Sequence, residues 1–387
     1  MVRRLPPADW LERDDLRVLV GALGPGQARY VGGAVRDTLL GLAVNDIDIA
    51  TPLEPQEVMR RLKAHSIQVV PTGIEHGTVT AVLPGGPVEI TTLRRDVSTD
   101  GRRATVAFAS DWQDDAARRD FTINALYADP ETGELFDWFG GLDDLAARRL
   151  RFIGDARQRI REDHLRILRY FRFQARFGSQ PADDEAESAV SELAATLKGL
   201  SRERVGMEMM NLLGLPDPAP TVARMAELGV LEVVLPEADV AALAALVAEE
   251  QRQGVAPDAL RRLAALLAPD APLAEAIASR FRLSGAQKKR LALAAGRGGQ
   301  SGDPRALAYR LGREAALDRL LLTGGAIAPL TDWDIPTFPL KGGEIVARGV
   351  KAGPDVARIL QAVEARWVAE GFPARARVDA LLDEALR

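Results

Sequence analysis

Asp46 and Asp48 stand one residue apart in Asn45-Asp46-Ile47-Asp48-Ile49-Ala50, where acids alternate with β-branched residues. In a strand, residues two apart share a face, so both carboxylates point one way while Ile47 and Ile49 enter the core. Neighbouring carboxylates repel unless a cation lies between them, and their hard oxygens suit Mg²⁺. An edge strand turning charge to solvent has the same pattern and is the commoner meaning of a lone Asp-x-Asp. Glu89 is a further acid. It lies in the second of two β-rich runs, Thr78 to Leu83 and Val88 to Leu93, separated by the turn Pro84-Gly85-Gly86-Pro87. Spacing leaves open whether Glu89 completes a metal cage or faces water.

The elements that must position these acids begin upstream. Ala28 to Val31 reads as a short strand, followed by Gly32-Gly33 and a helix from Ala34 to Leu40 with Gly41 as its stop. Glycine lets backbone approach a ligand closely, exposed helix-start N–H groups favour phosphate, and Arg36 one turn in adds charge. A Gly-Gly turn alone is weak evidence. Farther on, the spacing of Asp163, Arg166 and Tyr170 predicts that they share one helix face, with Leu165, Leu168 and Phe171 packing beside it. An intrahelical salt bridge has the same spacing.

The chain has 387 residues, a length that suits two to four domains, and a net charge of −5, which argues against a protein that coats nucleic acid non-specifically. A local basic surface is still expected from the arginines between Arg148 and Arg176. There are no cysteines and three histidines, so any metal must sit on oxygen ligands. No apolar run reaches the roughly 18 to 20 residues that cross a bilayer, and no apolar segment follows the early Arg pair, so the expectation is a soluble, cytoplasmic protein without a membrane partner. Up to about residue 152 short β runs, Gly-rich turns and short helices alternate; from Gln158 onward Leu and Ala recur at helical spacing. Leu215 to Pro220 and Gly296 to Pro304 are the best internal boundaries.

GGAVRD with a following LLG, then NDIDIAT, VEITTLR and RRDFTINAL, resembles in order and approximate spacing the head of the polymerase-β nucleotidyltransferase superfamily, in its class II tRNA nucleotidyltransferase and bacterial poly(A) polymerase branch. Glu134 to Asp137 and Gly140 to Leu145 resemble the family's link from head to neck. Ser201 to Met209 resembles the family's next motif, a neck helix opening on a Ser cap. The resemblance implies an α+β fold: a nucleotidyltransferase head with a small mixed sheet (1–152), then an all-helical neck (153–214), body (215–300) and tail (301–387). It implies that Asp46 and Asp48 hold two Mg²⁺ ions, less directly that Glu89 joins them as a catalytic acid, and that Gly32, Gly33 and Arg36 bind the nucleotide. Asp120 and Asn124 would meet the ribose hydroxyls, with Arg119 reaching the triphosphate or bracing the acid.

Arg161 to Phe173 resembles the family's Glu-Asp-x-x-Arg motif, which implies nucleotide binding by Asp163 and Arg166, with Arg169 and Arg172 farther along. An ionised Asp only accepts hydrogen bonds and an Arg only donates them. Cytosine and adenine present an amino donor beside a ring-nitrogen acceptor; uracil and guanine present the reverse. A mismatch costs about 1–3 kcal/mol per buried group, so the pair would select C and A. The implied activity is addition of CCA to tRNA from CTP and ATP, with no protein partner. A poly(A) polymerase or CC-adding enzyme of the same branch is the nearest alternative, and a silent RNA-binding protein a more distant one. Residues 94–111 match the length of the family's flexible loop. Beyond residue 215 the match is to general pattern, and that half is expected to contact the tRNA.

Overall fold

The computed structural model describes residues 3–100, 103–109, 111–297 and 302–387. The chain forms two compact units: residues 1–208 with 221–234, and 209–220 with 235–387. Part of the Gly296 to Pro304 boundary, residues 298–301, lies outside the described residues.

In the first unit a seven-stranded mixed sheet carries the site. Its strands are β1 (Arg29–Val31), β2 (Ile47–Thr51), β3 (Gln68–Gly73), β4 (Thr78–Leu83), β5 (Gly86–Thr92), β8 (Tyr127–Ala128) and β9 (Leu135–Phe136), in the order β3-β4-β5-β2-β1-β8-β9. Only β2 and β5 run parallel; the other neighbours are antiparallel. β2 is central because its alternating pattern buries Ile47 and Ile49 while Asp48 turns to the opposite face. The strand begins at Ile47, so Asp46 lies one residue before it rather than within it.

β6 (Arg94–Asp100) and β7 (Arg103–Phe108) form a separate antiparallel ribbon, so most of the stretch expected to be a loop is paired strand; residues 101, 102 and 110 lie outside the described residues. Helices α1 (Asp14–Leu23), α2 (Gly33–Leu39), α3 (Pro55–Ala64), α4 (Trp112–Ala117) and α5 (Gly141–Ala146) lie in the same unit.

Helices α6 (Ala156–Glu162), α7 (Arg166–Phe177), α8 (Asp184–Glu192) and α9 (Arg202–Leu213) follow. The expected continuous helix through Asp163 is broken. The Asp163 carboxylate accepts from the Leu165 N–H at 3.1 Å and its carbonyl from the Arg166 N–H at 3.0 Å, a local turn that competes with helix. Tyr170 is fully buried, and the face of α7 that remains open carries Arg169, Arg172, Phe173 and Arg176 instead.

The second unit is helical, with no strand among its described residues. Its interior holds a buried ion network in which Glu250 accepts from Arg261 at 2.7 Å and Arg262 at 2.8 Å, and Arg290 donates to Asp318 at 2.8 Å. A separate apolar cluster surrounds Trp367, Val363 and Leu381. No helix of the described residues is long and apolar enough to cross a membrane.

Candidate active site

A cleft of about 430 Å³ opens in the first unit, lined by the Gly32-Gly33 turn, Asp46 and Asp48, Arg119, Asp120, Asn124 and the open face of α7. Gly32 takes φ +69, a conformation that side chains rarely adopt, and a Cβ there would sit 3.4 Å from the Arg119 Nη1. Its N–H bonds the Leu126 carbonyl at 3.1 Å, which ties the turn to the Arg118 to Leu126 segment.

Across the floor of the cleft, cations and anions alternate. Arg36 donates to Asp37 at 2.8 Å and to the Asn124 Oδ1 at 2.5 Å; the Asn124 amide donates to Asp120 at 3.0 Å; Arg169 donates to the other Asp120 oxygen at 2.8 Å; and Arg172 donates to Glu208 at 2.6 Å. Burial pushes the Asp120 carboxyl up, but Arg169 and the Asn124 amide more than offset it and hold it below its usual value. The Arg36 guanidinium is buried, also lies 4.1 Å over the Phe177 ring, and is engaged by Asp37 and Asn124, so it braces the floor of the cleft that it also lines. The Phe173 ring meets Arg172 at 4.7 Å and Arg169 at 5.3 Å.

The acids at the rim have a different character. Register pairs Asp48 with Glu89 on the neighbouring parallel strand, which places both on one face; Glu89 is exposed and does not line the cleft itself. Asp46, Asp48 and Glu89 make no hydrogen bond or ion pair with side chains among the described residues. Burial first, then Glu89, raises the Asp48 carboxyl to about 6, with Asp46 adding to the rise and Arg119 opposing it. Among the described residues no three acids or histidines already converge as a closed cage. A half-buried carboxylate crowded by two others and lacking a partner fits an open hard-cation site, which water and phosphate oxygens would complete.

The electrostatics predict a stability change. A carboxyl raised from 3.8 to about 6 in the folded chain penalises the ionised folded form above that pH, so this group's penalty develops as pH rises from about 4 to 6. Asp48→Asn removes the penalty, about 1–2 kcal/mol after allowance for solvent screening. In chelator at pH 7.5 the variant should therefore melt about 2–4 °C above the parent, with the difference gone near pH 4. Equal melting at both pH values would contradict the crowding of these acids.

Asp163 and Arg166 are not brought together and do not line the cleft. The Asp163 carboxylate pairs with Arg204 at 2.7 Å, while Arg166 donates to Glu162 at 2.7 Å, the Arg159 carbonyl at 2.9 Å and the Arg118 carbonyl at 3.0 Å. Both border the site: Asp163 contributes to raising the Arg169 pKa, after Asp120 and Glu208, and Arg166 contributes to lowering that of Asp120. The expected basic surface is largely neutralised within the unit, since Arg149 and Arg151 pair with Asp144, Arg157 with Glu192, Arg159 with Glu162 and Arg176 with Asp37.

Sequence reasoning missed Asp115. It is buried on α4 and accepts from Arg118 at 2.8 Å, Arg119 at 3.3 Å and the Tyr127 hydroxyl at 2.6 Å. Its spacing of three and four residues before two arginines on a helix was the available signal.

Residues 28–151 match the family model described as the poly A polymerase head domain, and residues 183–241 match the probable RNA and SrmB-binding site of polymerase A. The mitochondrial CCA tRNA nucleotidyltransferase 1 of Mus musculus is 33% identical over 370 residues, which cover 89% of this chain and 84% of the mouse protein. The chain belongs to the CCA tRNA nucleotidyltransferase family. The CCA-adding enzyme of Geobacillus stearothermophilus is 41% identical over 211 residues, 54% of this chain and 50% of its own. Among solved structures, the Bacillus stearothermophilus CCA-adding enzyme in complex with CTP aligns with a TM-score of 0.73 at 27% identity, covering 96% of each chain. The Thermotoga maritima CCA-adding enzyme complexed with tRNA aligns at 0.70 and 20% identity, covering 97% of this chain and 98% of its own, a likeness of fold. Because relatives include mitochondrial proteins, family membership does not fix a compartment.

Proposed function

We propose that this enzyme adds C, C and A to the 3′ end of tRNA, taking CTP and ATP as donors and releasing pyrophosphate. The observation that carries the reading is the cleft itself, where unpartnered acids on one rim face an arginine-lined wall. That combination suits a triphosphate approached by a hydroxyl nucleophile. The relatives and the CTP-bound neighbour support tRNA and CTP as substrates. Head-domain similarity alone would serve a poly(A) polymerase equally well; the relative matched across most of the chain favours the tRNA enzyme.

Bound divalent cations, Mg²⁺ in this reading, would supply charge neutralisation of the triphosphate and activation of the primer hydroxyl. Asp46 and Asp48 would hold them, with Glu89 across the strand pair. Arg119 would meet the triphosphate beside the Gly32-Gly33 turn, and Asp120 with Asn124 would meet the ribose hydroxyls after exchanging part of their mutual hydrogen bonding. Asp163 and Arg166 would read the Watson–Crick edge from the α6–α7 turn. Residues 1–152 form the catalytic head in this scheme, 153–214 the base-reading neck, and 215–300 and 301–387 the body and tail that grip tRNA.

Metal removal tests the chemistry. Chelation should abolish CTP incorporation onto a tRNA ending at its discriminator base, and millimolar Mg²⁺, on the order of the values typical of such sites, should restore it. An unstructured RNA offered in place of tRNA should remain unextended. Metal-independent incorporation, or extension of both RNAs, would contradict the reading.

A further inference from the structure

Asp115 stands apart from the acids assigned to metal or nucleotide, and it is fully bonded beside the cleft. Its two oxygens take four donors. The Oδ1 accepts from the Arg94 backbone N–H at 3.2 Å and from the Arg118 Nε at 2.8 Å; the Oδ2 accepts from the Arg119 Nη2 at 3.3 Å and from the Tyr127 hydroxyl at 2.6 Å. A carboxylate has about four lone-pair sites, and here all are used. Burial pushes this carboxyl up, yet the two arginines and the tyrosine hydroxyl bring it down to about 2, so it is charged at neutral pH.

The donors belong to two different parts of the head. Arg94 is the first residue of the β6–β7 ribbon. The base of that ribbon is fastened to the central sheet, since the Leu93 N–H bonds the Thr51 carbonyl at 2.7 Å and the Ala109 N–H bonds the Leu93 carbonyl at 2.8 Å. Phe108, which pairs with Arg94 at the same base, packs so closely on Gly77 that a Cβ there would lie 3.0 Å from the ring. Arg119 belongs to the cleft. Its Nε donates to the Tyr127 hydroxyl at 3.0 Å and its Nη2 to Asp115, while its Nη1 points at the Gly32 turn and has no acceptor among the described residues.

We propose that Asp115 is a positioning residue that couples the base of the β6–β7 ribbon to the Arg119 guanidinium in the cleft. One oxygen fixes where the ribbon begins and the other fixes where the guanidinium points, so a shift of the ribbon base alters the aim of Nη1, and a ligand that draws on Nη1 reports back to the Arg94 amide. The inference rests on the reading that Arg119 faces the nucleotide's phosphates.

The test uses the full chain, CTP and Mg²⁺ without tRNA, so that binding is read apart from transfer. Asp115→Asn keeps the shape and removes the charge; it should weaken CTP binding by about tenfold, the range for a charge-assisted contact that is misaimed. In an Arg119→Ala background the same substitution should have no further effect, because its consequence passes through that side chain. Hydrogen exchange at the Arg94 amide of the unmodified protein should slow when CTP binds, and should not respond in Asp115→Asn.

Additive losses in the double variant, or an Arg94 amide that ignores CTP in the unmodified protein, would overturn the inference. The second measurement decides even if Asp115→Asn does not fold. An unmodified protein that binds CTP with these couplings yet extends no tRNA would overturn the proposed function and leave the coupling standing. One that binds no CTP would overturn both.

Discussion

Asp46→Asn and Asp48→Asn are each expected to lower nucleotide transfer by about a thousandfold or more while leaving tRNA affinity within about twofold of the parent. The substitution is nearly isosteric and removes a hard, charged oxygen from a rim where Asp46, Asp48 and Glu89 crowd one another and, in the proposed scheme, each is needed to hold a cation. The arginines of the wall can hold phosphate oxygens, but they cannot hold a cation or take a proton from a hydroxyl. Folding should survive in both variants, since Asp46 is exposed and Asp48 is more crowded than supported. Glu89→Gln, one strand away and exposed, should cost less. Single-turnover CTP incorporation at saturating Mg²⁺, beside a filter-binding measurement with tRNA, separates the effects. More than about a tenth of the parent rate in either Asp variant would remove the acids from the chemistry.

The second large effect concerns base choice. Asp163→Ala should raise the use of UTP relative to CTP by about tenfold to a hundredfold, because the acceptor that rejects a carbonyl is lost. The structure makes the two members of the proposed reading pair unequal. Asp163 is about one-third exposed, and its contacts are an Arg204 ion pair and one backbone N–H, so its removal is tolerable. Arg166 is about 14% exposed and holds two carbonyls and the buried Glu162, so Arg166→Ala should cost about 2–4 kcal/mol of stability in addition to any loss of selectivity. Selectivity is therefore best read in Asp163→Ala, as ratios of single-nucleotide incorporation for the four triphosphates. An unchanged preference for C and A, with only the overall rate reduced, would return Asp163 to the role of an α6–α7 turn residue.

The rim acids were legible in the sequence because a strand's period of two separates Asp48 from Ile47 and Ile49 without help from any other element. The tight turn at Gly32 was legible for the same local reason. The break at Asp163 was not, since Arg161 to Phe173 keeps helical spacing throughout and the side-chain-to-backbone turn that interrupts it competes on nearly equal terms. The β6–β7 ribbon had a signal that went unread: a glycine, Gly101, falls between two runs holding β-branched residues, Val97 to Thr99 and Thr105 to Val106. The neutralisation of the arginine-rich segment was beyond local reasoning, because its partner acids Asp37, Asp144, Glu192 and Glu208 come from α2, α5, α8 and α9. Asp115 shows the same limit, since its meaning depends on Arg94 and Tyr127, which only the folded head brings to it. Helices in the second unit were legible from Leu and Ala spacing, whereas the buried pairing of Glu250 with Arg261 and Arg262 was not.

The most direct measurement offers the protein all four triphosphates at equal concentration with Mg²⁺ and a tRNA ending at its discriminator base, and sequences the 3′ ends formed. The account predicts that nearly every extended molecule ends in C-C-A and grows no further. A ladder of adenosines, a stop after two cytidines, or incorporation of U and G at comparable frequency would contradict it.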